Sequence, residues 1–180
     1  DTRFEERIRR FRSHGMIHQE DALKRSKPGP WYYEQQELGY NYRITDIQCA
    51  LGLSQLGKLD GFVQRRRTLA ARYDALFAEF SGVRPVSTGL HKSESAYHLY
   101  AVLIDFDGLG ISRTEVMTQL RAKHIGTQVH YIPVPHQPYY NDLGYEMAHY
   151  PGACRYYERT LSLPLFPKMA DDDVHRVVDA

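Results

Sequence analysis

The 180-residue chain is 42% hydrophobic and carries 23 basic against 22 acidic residues. That is enough apolar content for one core or one and a half, and the balanced charge offers no field for nucleic acid or an anionic membrane. Two cysteines, Cys49 and Cys154, lack C-x-x-C spacing and are too few for a disulfide framework; with no run of membrane-span length and no signal peptide, a soluble, cytoplasmic protein is expected.

Phe4, Ile8 and Phe11 fall on one stripe among Arg3, Arg7, Arg9, Arg10 and Arg12, which predicts an amphipathic opening helix. The chain starts at Asp1 without Met and stops within a second helical pattern, Val174, Val177 and Val178, so a piece of a longer protein is expected. His18 to Pro30, with Pro28-Gly29-Pro30, reads as an irregular excursion.

Gly39-Tyr40-Asn41-Tyr42-Arg43-Ile44-Thr45-Asp46-Ile47-Gln48 is the most informative stretch. Asn41 and Arg43 supply hydrogen-bond donors in a loop, and Thr45 with Gln48 forms a capping box that fixes the start of the following helix. Free N–H groups and the positive end of the helix dipole add to a loop that suits a phosphate. A structural loop entering a core helix is the competing reading, and Cys49 on that helix is read as core.

Apolar residues at Ile47, Leu51, Leu56, Leu59, Val63, Ala70, Tyr73, Leu76, Phe77 and Phe80 continue the helical spacing. Gly57 and Gly61 predict a kink or a break in the middle. Arg65-Arg66-Arg67 is read as a solvated helix face. Ala96 to Phe106 predicts a buried strand, ended by Asp107-Gly108 and Gly110. Ser112 and Glu115 make a second capping box for a helix to about His124, stopped by Gly126. Thr127 to Ile132 reads as a short strand closed by Pro133, and Pro151 opens a helix through Tyr157. Leu161 to Phe166 is extended, and Asp171 to Asp173 charge the start of the last helix. This order implies an α+β domain with helices on one face of a small sheet, although a parallel arrangement also fits.

Histidines at strand ends can reach a pocket mouth, which singles out His98, His130 and His136, with Tyr131 beside them. A hydrogen-bonded structural role is the alternative for each. Scattered histidines without a completing carboxylate predict no metal site, and no Walker loop, Rossmann glycine pattern or G-x-S-x-G elbow is present.

Phe11-Arg12-Ser13-His14-Gly15-Met16, Gly39-Tyr40-Asn41-Tyr42-Arg43, Ala50-Leu51-Gly52-Leu53-Ser54-Gln55-Leu56, Tyr97-His98-Leu99-Tyr100, Gln128-Val129-His130-Tyr131-Ile132-Pro133 and Leu161-Ser162-Leu163-Pro164-Leu165-Phe166 occur in this order. Together they resemble the C-terminal half of the DegT/DnrJ-type sugar aminotransferases, most of all the branch serving pseudaminic acid synthesis. The resemblance implies an α/β and α+β chain, the C-terminal part of the aspartate aminotransferase fold (fold type I of the pyridoxal-phosphate enzymes). Residues 1–62 would be the tail of the large cofactor domain with a linking helix, and residues 63–180 the small α+β domain.

The resemblance further implies pyridoxal 5'-phosphate as cofactor, a homodimer with a shared site, and a nucleotide sugar and glutamate as substrates. Asn41 matches the residue that reaches the cofactor phosphate of the neighbouring subunit, and Arg43 and Tyr42 would line or support that site. His98, His130, Tyr131 and His136 are expected near the sugar. In the family's pattern a His follows Pro-Val, where this chain has Pro135, so either His136 substitutes one place later after a local backbone shift or that contact is altered. The Schiff-base lysine would lie upstream of Asp1; Lys24, Lys27, Lys58, Lys92, Lys123 and Lys168 stand outside its motif. The chain alone is therefore expected to be inactive. A cofactor-using sugar dehydratase of the same superfamily and a free-standing binding module are the alternatives. Exposed apolar surface at Phe4, Ile8 and Leu51 would favour the fragment over the module.

Overall fold

A computed structural model describes residues 1–86 and 94–180, which form two compact units, Asp1–Gly57 and Lys58–Ala180. Lys92 lies outside the described residues. No described helix is long and apolar enough to cross a membrane.

The first unit opens with α1 (Thr2–Phe11), whose N-terminus is capped by the Asp1 carboxylate accepting from the Arg3 amide. Two short strands, β1 (Met16–Ile17) and β2 (Glu34–Gln35), pair antiparallel with Met16 opposite Gln35. Between them, as expected, the chain is irregular apart from a single 3₁₀ turn, Glu20–Ala22. It closes on Glu34, whose carboxylate accepts from the amides of Lys24 (2.7 Å) and Arg25 (2.8 Å), from Tyr32 Oη and from Gln36 Nε2. The Lys24 amide leads these donors in holding the Glu34 carboxyl down at about 2, against the opposing pull of desolvation. Helix α2 (Asp46–Leu56) ends the unit.

Few side chains of this unit are buried: Ile17 and Glu34 among the described residues. Helix α2 buries none of its residues, so Cys49 is half-buried and not in a core. Phe4, Ile8 and Leu51 are all exposed. The helical pattern breaks after Gly57, and α3 (Leu59–Phe77) begins the second unit.

In that unit β3 (Val83–Pro85), β4 (Tyr100–Ile104) and β5 (Thr160–Leu163) form an antiparallel sheet in the order β3-β4-β5. The parallel alternative is thereby overturned. Leu69, Ala70, Tyr73 and Phe77 turn one face of α3 into the core, where they meet Tyr100, Val102 and Ile104 of β4. Leu161 and Leu163 of β5, and Val174 and Val177 of α8 (Asp171–Val178), join it, with Phe106, Leu120, Ile125 and Met169. Tyr73 stacks on Tyr100 at 4.6 Å and donates to the Pro164 carbonyl, while Tyr100 donates to Asp74 Oδ1 at 2.8 Å.

Several expectations change. The Ala96–Phe106 strand begins only at Tyr100, because Tyr97 takes a left-handed φ of 46°, and a short helix, α4 (Phe106–Leu109), replaces its end. Helix α5 (Arg113–Ala122) starts on the expected Ser112–Glu115 box, but His124, at φ 60°, makes the left-handed turn assigned to Gly126. Thr127–Ile132 is not a strand: Gln128 alone bridges Ser162, and the Val129 amide turns to the Gln128 side chain instead of a partner strand.

Arg65-Arg66-Arg67 is not a solvated face either. Arg65 reaches Asp171 and the Met169 carbonyl, and Arg67 donates to the Ser95 carbonyl. Arg65, with Arg72 beside it, holds the Asp171 carboxyl below the usual range and ties α3 to the start of α8.

Candidate functional site

The Asn41 turn is built by pairing two motifs. The Tyr40 amide donates to the Phe11 carbonyl at 2.7 Å, His14 N–H to the Tyr40 carbonyl at 3.0 Å, and Tyr42 N–H to the Arg12 carbonyl at 2.8 Å, with Ser13 bridging Asn41. This pairing needs two glycines. A Cβ on Gly39 would stand 2.5 Å from the Gly15 nitrogen, and Gly15, at φ 72°, would press one into the Glu37 carbonyl.

Extended backbone sends alternate side chains to opposite sides. Tyr40 and Tyr42 therefore share one side, where they stack at 5.0 Å with planes 5° apart, and Phe11 packs edge-on against Tyr40. Asn41 and Arg43 share the other, joined by Arg43 Nε donating to Asn41 Oδ1 at 3.2 Å. That bond uses the acceptor of Asn41. Its Nδ2 and the terminal guanidinium nitrogens of Arg43 have no protein partner among the described residues, and both residues are exposed. A pre-set pair of donors facing outward fits an anionic oxygen group.

The helix dipole contributes less than the sequence implied. Gln48 N–H is already taken by Thr45 Oγ1, Gln48 Oε1 accepts from the Thr45 amide, and the Asp46 carboxylate occupies the first turn. An added anion at α2 would meet a negative charge there.

In the second unit the structure gathers His130, Tyr131 and His136, which precede the short helix α6 (Pro138–Asp142), near α7 (Pro151–Arg159). His130 Nδ1 lies 2.9 Å from Ser162 Oγ, its carbonyl accepts from Tyr156 Oη at 3.2 Å, and its ring meets Tyr131 edge-on at 4.6 Å. His136, in the 3₁₀ turn Val134–His136, has its ring 6.0 Å from Tyr157. His98 is exposed, lies before β4 instead of within it, and has no contact with this group among the described residues. No group of three His, Cys, Asp or Glu suited to a metal occurs among the described residues.

Sequence reading missed Tyr156 and Ser162. The signal available for Ser162 was a polar residue inside an apolar extended run. A cleft of about 720 Å³ lined by Asp105, Ser112, Arg113, Tyr157 and Arg159 does not compete as a site. Two of its cations are already engaged: Arg159 pairs with Asp105 at 3.5 Å, and Arg113 lies over the Tyr157 ring at 4.8 Å.

All 180 residues match the DegT/DnrJ/EryC1/StrS aminotransferase family. The chain belongs to that family. It is 42% identical to the spore coat polysaccharide biosynthesis protein SpsC of Bacillus subtilis (strain 168), over 100% of this chain and 46% of that protein. Spr1654 of Streptococcus pneumoniae superposes in its PLP form with a TM-score of 0.81 at 30% identity, over 99% of this chain and 42% of that one. Its PMP form gives 0.83 at 31%, over 99% and 44%. Helicobacter pylori PseC, an aminotransferase involved in the biosynthesis of pseudoaminic acid, superposes with a TM-score of 0.78 at 28% identity, over 99% of this chain and 45% of that one.

The DegT/DnrJ/EryC1/StrS chain thus has an α+β fold found within the pyridoxal-phosphate aminotransferases of fold type I, and the family's cofactor is pyridoxal phosphate. It spans less than half the length of the relatives it matches.

Proposed function

We propose that the whole protein is a pyridoxal-phosphate aminotransferase that moves an amino group from glutamate to C4 of a UDP-4-keto-6-deoxy-N-acetylhexosamine. The pathway would be that of pseudaminic acid or a related nucleotide sugar. Similarity to PseC supports the substrate class. Residues 1–62 would close the large cofactor domain and 63–180 would form the small C-terminal domain, with cofactor and sugar housed between subunits of a homodimer.

The observation that carries this reading is the Asn41–Arg43 pair, both exposed, whose remaining donors have no protein partner among the described residues. Asn41 Nδ2 and the Arg43 guanidinium would hold the phosphate of the cofactor bound in the neighbouring subunit. When bound, the cofactor supplies the carbonyl that takes up and returns the amino group. Tyr42 would brace the turn through its stack on Tyr40, and His98, His130, Tyr131 and His136 would line the sugar side.

The test uses the full-length dimer. Asn41→Ala removes one hydrogen bond to a charged group, which corresponds to roughly 10- to 100-fold weaker retention of pyridoxal phosphate in equilibrium dialysis. Unchanged retention overturns the phosphate role. Amino transfer from glutamate to the UDP-keto sugar, followed by mass spectrometry, tests the reaction itself. Absence of an aminated product would return the choice to the dehydratase or the binding module.

A further inference from the structure

Strand β5 is buried along its whole length, yet two of its four residues, Thr160 and Ser162, are polar. Alternation sets both on the face opposite Leu161 and Leu163, which enter the core. Ser162 is held by backbone pairing on both sides. Ala101 of β4 lies opposite it on one side; on the other, its amide donates to the Gln128 carbonyl at 2.8 Å and its carbonyl accepts from the Gln128 amide at 3.2 Å. Its hydroxyl is therefore a fixed group inside the protein, and its partner among the described residues is His130 Nδ1 at 2.9 Å.

Two arrangements of the shared proton are possible, and satisfaction of buried groups separates them. With a proton on Nδ1 donating to Oγ, the hydroxyl hydrogen of a residue only 4% exposed would be left without an acceptor. With the hydroxyl donating to a bare Nδ1, both groups are satisfied and the neutral ring carries its hydrogen on Nε2. The Tyr156 hydroxyl fixes the same residue from behind by donating to the His130 carbonyl. Nε2 has no protein partner among the described residues.

We infer that Ser162 is a positioning residue for His130, locking the imidazole as the Nε2–H tautomer and presenting that hydrogen to an acceptor oxygen of the nucleotide-sugar substrate. The substrate half of this statement rests on the reading of His130 as a sugar-site residue; the tautomer half does not. It also gives the Leu161-Ser162-Leu163 segment and the His130-Tyr131 segment, 32 residues apart, a common purpose.

Long-range ¹H–¹⁵N spectra of the full-length protein with labelled histidine, recorded at alkaline pH and assigned through a His130→Gln variant, should show the His130 ring hydrogen on Nε2. A hydrogen on Nδ1 in the wild type overturns the inference whether or not any variant folds. Ser162→Ala should bring a mixture of the two tautomers and a roughly three- to tenfold rise in KM for the UDP-keto sugar. Retention of pyridoxal phosphate should stay at the wild-type level. An unmixed tautomer and an unchanged KM in Ser162→Ala defeat the positioning role while leaving the transaminase reading intact. If instead the wild type aminates no UDP-sugar, the transaminase reading fails, and the substrate half of this inference with it.

Discussion

Gly39 and Gly15 touch backbone to backbone, so close that a β-carbon on Gly39 would stand 2.5 Å from the Gly15 nitrogen and 2.7 Å from the Phe11 carbonyl oxygen. Gly39→Ala should therefore pry the Asn41 turn from the Arg12–His14 segment. Overpacking of this kind costs about 1–3 kcal/mol, visible as a lower urea midpoint. Amide exchange at Tyr40 and Tyr42 should accelerate in the same variant; wild-type exchange rates would show that the turn does not depend on this contact.

Glu34 is the fastening of the irregular segment between β1 and β2. Its folded carboxyl titrates at about 2 against an ordinary value of 4.5, so the proton binds the unfolded chain more readily. The stabilisation is complete above about pH 4.5 and is lost as pH falls toward 2. Glu34→Gln should flatten that acid limb of the melting temperature and speed tryptic cleavage after Lys24 and Arg25 at neutral pH. Equal acid sensitivity in wild type and variant would assign the acid limb to other carboxylates.

Tyr73 and Tyr100 give an alkaline limb of opposite sense. Burial raises both phenols, and for Tyr100 the Asp74 carboxylate adds to it. These groups keep their protons when folded, whereas in the unfolded chain they ionise near pH 10, so stability should fall as pH rises past about 10. Tyr100→Phe removes the hydrogen bond to Asp74, a change of about 1.5–3 kcal/mol for a bond to a charged group. Urea denaturation at pH 8 and pH 10.5 separates the two effects: the variant should start lower and lose less between the two conditions.

Helix α2 leaves Ile47, Leu51, Leu53 and Leu56 exposed on the chain by itself. An apolar helix of this kind drives association, so residues 1–180 alone should elute larger than a monomer in size-exclusion chromatography. Leu51→Glu should shift the elution toward the monomer. Monomeric behaviour of the unsubstituted chain would refute it.

What the sequence made readable was local. The Thr45–Gln48 and Ser112–Glu115 boxes and the break after Gly57 depend on neighbours within one turn, and the structure places them where the residues imply. Left-handed turns at Tyr97 and His124 were hidden, because those residue types carry no signal as strong as glycine's. Arg65 was misread because its partner, Asp171, is 106 residues away. The same distance rule hid Ser162 from His130, whereas Asn41 and Arg43 were visible as donors because they sit two residues apart on one extended segment.

The placing of β5 at residues 160–163 governs how the second unit is made. Strand β4 emerges from the ribosome some sixty residues before its β5 neighbour, and until then that flank is a bare ladder able to recruit foreign strands. Folding of this unit is consequently deferred until residues 160–163 have been made. A nonsense codon ahead of Thr160 would release a polypeptide destined for chaperones or proteases, not a smaller working domain.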